Sequence, residues 1–156
     1  LKNFSGYGIT SNGRLRLQDV EITGCGGTAA WAAAASDAQS GTRIYIHDNT
    51  VPAIVQSSGS GIISLLDSVI ESNTGASSDG LSIASSGGYN LIFGCVFYNN
   101  GRDGIRVTAG QQIGNMLSIQ NCIFEGNVGY GINQSASGST SLILLSFEIM
   151  LTIIIL

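Results

Sequence analysis

One stretch of this chain repeats itself at a fixed step. Gly94-Cys95-Val96-Phe97-Tyr98-Asn99-Asn100 matches Asn121-Cys122-Ile123-Phe124-Glu125-Gly126-Asn127 at an offset of 27, and Gly104-Ile105 precedes Gly131-Ile132 by the same 27. A further step back takes Asn100 to Asn73, Phe97 to Ile70 and Ile92 to Leu65. Asp79-Gly80-Leu81-Ser82-Ile83 then stands in for Asp103-Gly104-Ile105-Arg106-Val107 after three extra residues. Self-similarity at this period marks an architecture in which each unit buries its apolar side against the next.

Weaker copies lie on either side. Leu15 to Ile22 aligns with Leu117 to Phe124, and Ile44 to Val51 is aligned with the same block. Gly6-Tyr7-Gly8-Ile9 matches Gly129-Tyr130-Gly131-Ile132, and Leu142-Ile143-Leu144 followed by Phe147-Glu148-Ile149 is a last, degraded copy. With Leu17, Ile46, Leu65, Ile92, Ile119 and Leu144 taken as equivalent, the spacings are 29, 19, 27, 27 and 25. Each unit holds two or three runs of two to four alternating apolar residues, separated by Asn, Gly, Ser or Asp. Runs this short are strands. Several short strands per unit, with equivalent positions stacked, define an all-β solenoid of about six rungs.

Stacking explains an unusual composition. Charged residues make up 10% of the 156, while glycine occurs 22 times and proline once. An ordinary soluble domain carries roughly 25% charge. Rungs about 4.8 Å apart place each side chain over its equivalent, and like charges at that distance repel. The same balance excludes other classes. With 44% apolar residues the chain is not disordered. Six Lys and Arg against ten Asp and Glu leave no basic stripe for nucleic acid. The 15 residues from Leu142 to Leu156 are apolar except Ser146, Glu148 and Thr152, and fall short of the roughly 20 that span a bilayer. Three cysteines, Cys25, Cys95 and Cys122, are odd in number and lack CxxC spacing, which argues against a disulfide framework or a zinc site.

The alignment predicts the core as columns: Leu17, Ile46, Leu65, Ile92, Ile119; then Ile22, Val51, Ile70, Phe97, Phe124; then Ile9, Leu81, Ile105, Ile132. Asn73, Asn100 and Asn127 make a ladder, each amide donating to one neighbour and accepting from the other, with Cys25 in the ladder position on its own rung. Asparagine also tolerates the left-handed backbone of a sharp corner. Val69, Val96 and Ile123 form an outward apolar column.

These Leu-x-Ile-x-Asn and Asn-x-x-x-Gly-Ile units resemble the right-handed parallel β-helix repeats of the pectate-lyase-like superfamily, from about Gly6 to Ile149. That superfamily includes polysaccharide lyases, polygalacturonases, alginate epimerases and phage tailspikes. The resemblance implies the handedness, an extracellular or virion-surface setting and a polysaccharide or cell-surface glycan as partner. Residues 1–149 then read as a β-helix slice, incomplete at both ends. Residues 150–156 read as an apolar tail outside the repeat, from a truncation or frame-shift, with a strand pair, cap or oligomer surface as the other readings of the apolar end. The first residues lack an apolar signal segment, and a start at Leu1 inside a repeat reads as a fragment.

The repeat fails from Thr28 to Thr42, which reads as a lateral loop or helical turn. A functional alternative makes Trp31 a sugar-stacking platform there. One polar cluster emerges from the alignment. Asp19, Asp48 and Asp67 fall at equivalent positions on successive rungs, with His47 and Arg43 beside them. Three carboxylates a rung apart raise one another's pKa or hold calcium, and in the resembling enzymes acid/base or calcium-binding carboxylates sit on adjacent rungs. The competing reading makes them turn residues. Arg102, Asp103 and Arg106 read as a solvated corner. Tyr98, outward between Glu71 and Glu125, is a second candidate for sugar stacking. No Asp-Asp pair, Gly-His-Gly or Asp-Pro-His-Asp motif of the resembling enzymes is present. Two functions follow as expectations. One is a non-catalytic stem or adhesin domain, as a homotrimer in the parent protein. The other is a fragment of a polysaccharide lyase, hydrolase or epimerase acting through the Asp cluster.

Overall fold

The computed structural model describes all residues except 34–36, 58–60, 85–87, 109–115, 135–140 and 146–156. Among the described residues, seventeen strands wind through three parallel sheets, so the chain visits each sheet once per turn. The first sheet holds β1 (Ile9–Ser11), β4 (Trp31–Ala33), β7 (Ile54–Gln56), β10 (Leu81–Ile83), β13 (Ile105–Val107) and β16 (Ile132–Gln134). The second holds β2 (Leu15–Gln18), β5 (Gln39–Thr42), β8 (Ile63–Leu66), β11 (Tyr89–Phe93), β14 (Met116–Gln120) and β17 (Ser141–Leu145). The third holds β3 (Glu21–Thr23), β6 (Tyr45–His47), β9 (Val69–Glu71), β12 (Val96–Tyr98) and β15 (Ile123–Glu125). Five to six turns are therefore stacked. Leu142 to Leu145 pairs in register with β14 and continues the solenoid as a strand. The apolar residues beyond it, including Phe147 to Ile149 and the 150–156 tail, lie outside the described residues.

A three-residue strand of the third sheet has one inward side chain flanked by two outward ones, whereas in the first sheet β7, β10 and β13 bury their first and third residues and turn the middle one outward. The inward column of the third sheet is Ile22, Ile46, Ile70, Phe97 and Phe124, where the last two rings stack 5.2 Å apart and nearly parallel. The column of the second sheet is Leu17, Gly41, Leu65, Ile92 and Ile119, and the backbone pairing of Ile119 with Leu144 continues its register. The column of the first is Ile9, Trp31, Ile54, Leu81, Ile105 and Ile132.

Three expectations need correction. Ile46 does not follow Leu17; it lies over Ile22, and Gly41 takes the place assigned to it. Val51 is buried, but in the turn after β6 and not in the third-sheet column. The stretch read as a lateral loop or helical turn instead contributes β4 and β5, both regular parts of the stack. The physical cause is common to all three. Gln39-Ser40-Gly41-Thr42 has no apolar residue, so hydrophobic alternation passes over it, while its backbone still pairs with β2 and β8. Larger neighbours fill the space. A β-carbon on Gly41 would lie 2.7 Å from Ile44 Cδ1, and the buried Trp31 indole occupies the same rung.

The ladder is longer than expected. Asn49 joins Asn73, Asn100 and Asn127, and its Oδ1 accepts from the Cys25 amide at 2.8 Å. Asn49 Nδ2 donates to Asn73 Oδ1 at 2.8 Å, Asn73 Nδ2 to Asn100 Oδ1 at 2.9 Å, and Asn100 Nδ2 to Asn127 Oδ1 at 2.9 Å. The ladder residues are not the left-handed ones. That strain falls one residue earlier, at Gly24, Asp48, Ser72, Asn99 and Gly126.

Candidate functional site

Each rung turns sharply between the second and third sheets, at a left-handed residue: Asp19 (φ 54), Arg43 (φ 50), Asp67 (φ 47), Gly94 (φ 64) and Asn121 (φ 50). Asp19 and Asp67 thus do share a column, but the residue between them is Arg43. Asp48 stands at the following corner, with Gly24 and Ser72. The expected three-carboxylate site is therefore not assembled. The error came from the slipped rung, which moved Asp48 onto the position of Arg43. Arg43 Nε and Nη2 donate to Asp19 Oδ1 and Oδ2 at 2.7 and 2.9 Å, in the paired geometry that suits guanidinium and carboxylate. This bond holds the Asp19 carboxyl below its ordinary range and raises Arg43. Both groups are exposed, so the pair adds little to stability. A calcium ion does not fit, because one carboxylate is committed to a cation and another lies at a different corner. Among the described residues, no group of three or more His, Cys, Asp or Glu side chains is disposed to hold a metal ion.

Trp31 is fully buried in β4. Its Nε1 donates to Gln39 Oε1 at 3.2 Å, and Gln39 Nε2 donates to the Ser11 carbonyl at 3.3 Å. The indole is a core residue with a satisfied polar edge and offers no face to a sugar. The corner of Arg102, Asp103 and Arg106 is solvated only at its two partly exposed arginines, and its carboxylates are buried. Asp79 and Asp103 stand on successive rungs, 0% and 1% exposed. Arg102 grips Asp79 with two donors, Nε to Oδ1 at 2.6 Å and Nη2 to Oδ2. Asp103 accepts from the Tyr130 amide at 2.8 Å and from Asn133 Nδ2 at 2.9 Å. A buried carboxylate survives only with such partners.

What the fold does assemble is a row on the outer face of the third sheet. Pairing aligns Glu21, Tyr45, Val69, Val96 and Ile123 in one outward column, and Thr23, His47, Glu71, Tyr98 and Glu125 in the other. Tyr98 lies between Glu71 and Glu125 as expected, and the apolar column Val69, Val96, Ile123 is present. Toward the N-terminal rungs the side chains lock together. His47 Nε2 lies 3.1 Å from Glu21 Oε1 and its Nδ1 2.8 Å from Asp48 Oδ2. Tyr45 stacks on the imidazole at 3.9 Å, and its hydroxyl donates to Glu71 Oε1. Lys2 Nζ reaches Glu21 Oε2 at 3.1 Å.

Two carboxylates on one imidazole favour its charged form. Burial is the largest single influence on His47 and pulls its pKa down, but Asp48 and Glu21 together outweigh it and the net shift is upward. Glu21 is lowered, chiefly by His47 and then by Lys2. The Tyr45 phenol, donating to Glu71 and partly desolvated, is pushed up to about 12, so it stays a donor. Sequence reading missed Glu21, Tyr45 and Glu71. Their signal was present: alternation about Ile22, Ile46 and Ile70 puts both flanking residues outward, once Ile46 is aligned with Ile22.

Three short parallel strands per turn, an internal amide ladder and inward columns of branched and aromatic residues define a parallel β-helix. The family described as "right handed beta helix region" matches residues 1–147, and the chain belongs to it. Comparison with curated proteins and with solved structures returns no match. Among the described residues, no helix is long and apolar enough to cross a membrane.

Proposed function

We propose that this chain is a non-catalytic β-helical stem or adhesin segment of an extracellular or virion-surface protein, and that the outer face of the third sheet meets glycan. The observation carrying this reading is the composition of that face. Half-buried or exposed Tyr45, His47 and Tyr98 alternate with Glu71 and Glu125 along a regular sheet. Carboxylates accept from sugar hydroxyls, and aromatic rings suit the apolar face of a pyranose. The scarcity of cations on this face favours a neutral or amino sugar over an acidic one. Val69, Val96 and Ile123, on the same face, are the seam by which copies of the parent protein would pack as a homotrimer. A glycan array on the full-length protein tests the first point. Binding lost in Tyr98→Ala and Glu71→Gln supports it, and equal retention by both variants removes it. A single-chain mass by light scattering at high concentration removes the trimer.

One observation favours a second reading, a fragment of a polysaccharide-cleaving enzyme. His47 is held between Glu21 and Asp48 with a raised pKa, as a proton donor requires. In that reading His47 replaces the dispersed Asp19, Asp48 and Asp67 as the acid. Product analysis on array hits separates the two, since a binder leaves the glycan intact.

A further inference from the structure

The corner between the second and third sheets holds a second column, just inside the left-handed residues. Ser68, Cys95 and Cys122 each precede a third-sheet strand and repeat one side-chain geometry. Ser68 Oγ donates to the Leu66 carbonyl at 2.7 Å, Cys95 Sγ to the Phe93 carbonyl at 3.3 Å and Cys122 Sγ to the Gln120 carbonyl at 3.2 Å. Equal rotamers on successive rungs bring equal atoms over one another. The Ile123 amide donates to the Cys95 carbonyl at 2.9 Å, so these rungs are in direct register at the cysteines. Both thiols are free, and Cys95 is buried while Cys122 is partly open.

We infer that Cys95 and Cys122 are a thiol pair poised to close into a disulfide that staples two successive rungs. Adjacent parallel rungs stand about 4.8 Å apart, inside the roughly 4.4–6.8 Å that a disulfide accepts between α-carbons. Closure therefore needs a rotamer change and no rearrangement of the sheet. The two positions are chemically unequal. The Cys122 thiol is held low, chiefly by its contact with Cys95, whereas Cys95 is pushed up by that contact and by burial. Solvent reaches Cys122 and not Cys95, so Cys122 is the attacking thiol and buried Cys95 the resolving one. With a small disulfide such as oxidised glutathione, the Cys122 sulfur attacks one sulfur of the oxidant and expels a glutathione thiolate. The Cys95 thiol then gives its proton to solvent, attacks the Cys122 sulfur and expels the second glutathione. Two protons and two electrons leave the pair, and the oxidant becomes two thiols. Cys25, buried on a distant rung, takes no part.

The test treats the folded full chain with oxidised glutathione, then denatures it under acid and alkylates all remaining thiols. Trypsin cuts after Arg43, Arg102 and Arg106, so the three cysteines fall on three peptides. The expected result is one alkylated cysteine, Cys25, and a linked pair of peptides containing Cys95 and Cys122. Cys95→Ser should trap a glutathione adduct on Cys122, and Cys122→Ser should give neither adduct nor link. Circular dichroism confirms that each variant is folded. Three alkylated cysteines in the wild-type chain overturn the inference. So does an unresolved glutathione adduct on Cys122, or a disulfide that includes Cys25.

Discussion

Replacing Asn73 with alanine tests the internal ladder at its most enclosed point. Asn73 is fully buried. Its Oδ1 accepts from Asn49 Nδ2 at 2.8 Å and from the Asn49 amide at 3.3 Å, and its Nδ2 donates to Asn100 Oδ1 at 2.9 Å and to the Ile46 carbonyl at 3.3 Å. Asn49 Nδ2 keeps a partner after the change, since it also donates to the His47 carbonyl at 2.9 Å. The Asn49 amide and the Asn100 oxygen lose theirs. A buried group left unpaired costs about 1–3 kcal/mol, so two of them predict a loss of about 2–5 kcal/mol. That is a large part of the roughly 5–15 kcal/mol by which a domain is stable. Asn127→Ala is the internal comparison. It removes the same ladder bond to Asn100, but on a more open rung where water replaces the lost partner, and a loss of about 1 kcal/mol is expected. Urea unfolding followed by far-ultraviolet circular dichroism measures both, with the slope checked for constancy because stacked repeats can unfold in parts. Equal losses for the two variants, or a loss below about 0.5 kcal/mol for Asn73→Ala, would refute the reasoning.

Other outcomes follow from the same geometry. Arg102→Ala leaves the Asp79 carboxylate buried without its cation and should cost about 3 kcal/mol in urea unfolding, against less for Arg102→Ala combined with Asp79→Asn. Gly104→Ala would place a β-carbon 2.6 Å from the Gly131 carbonyl oxygen and 2.8 Å from Phe124, and should lower stability by about 1–3 kcal/mol. Trp31 is the chain's one tryptophan and is buried, so its fluorescence should be blue-shifted in the folded protein and unmoved by any glycan that binds. His47 is the one histidine, so its imidazole resonance titrates without overlap and should report a pKa above the usual 6.5. A raised folded pKa means that stabilisation by the His47 cluster is complete below about 6.5 and fades as pH rises through the folded value. Glu21, lowered from 4.5, adds stabilisation above that value that is lost as pH falls through its folded pKa. Wild type should therefore exceed His47→Gln most clearly between about pH 5 and 6, and a difference that grows above pH 7 would contradict this sign.

How far the molecule was legible depended on what each rung carries. From Leu65 to Phe124 the inward columns of the second and third sheets hold branched or aromatic residues, and the 27-residue step yields the register that their backbone pairing shows. The ladder at Asn73, Asn100 and Asn127 was readable for the same reason. Between Thr28 and Thr42 the inward positions hold Trp31 and Gly41, two residues that share no pattern with their neighbours in the columns. Hydrophobic alternation had nothing to count there, so one rung was skipped. That single slip carried Asp48 into the Asp19 column, displaced Ile46 and hid the Glu21–His47–Glu71 row.

By itself, then, the sequence determined the class of fold, the existence of stacked columns and the scarcity of charge that stacking requires. It did so because a repeat must satisfy the same local rule many times. The tertiary structure decided which rung meets which and what each polar group faces. Backbone hydrogen bonds set that register, and they form as well over Gln39-Ser40-Gly41-Thr42 as over an apolar strand. Whether a carboxylate stands beside two others or beside an arginine turns on one such step, and with it the chemistry that the face of the helix can perform.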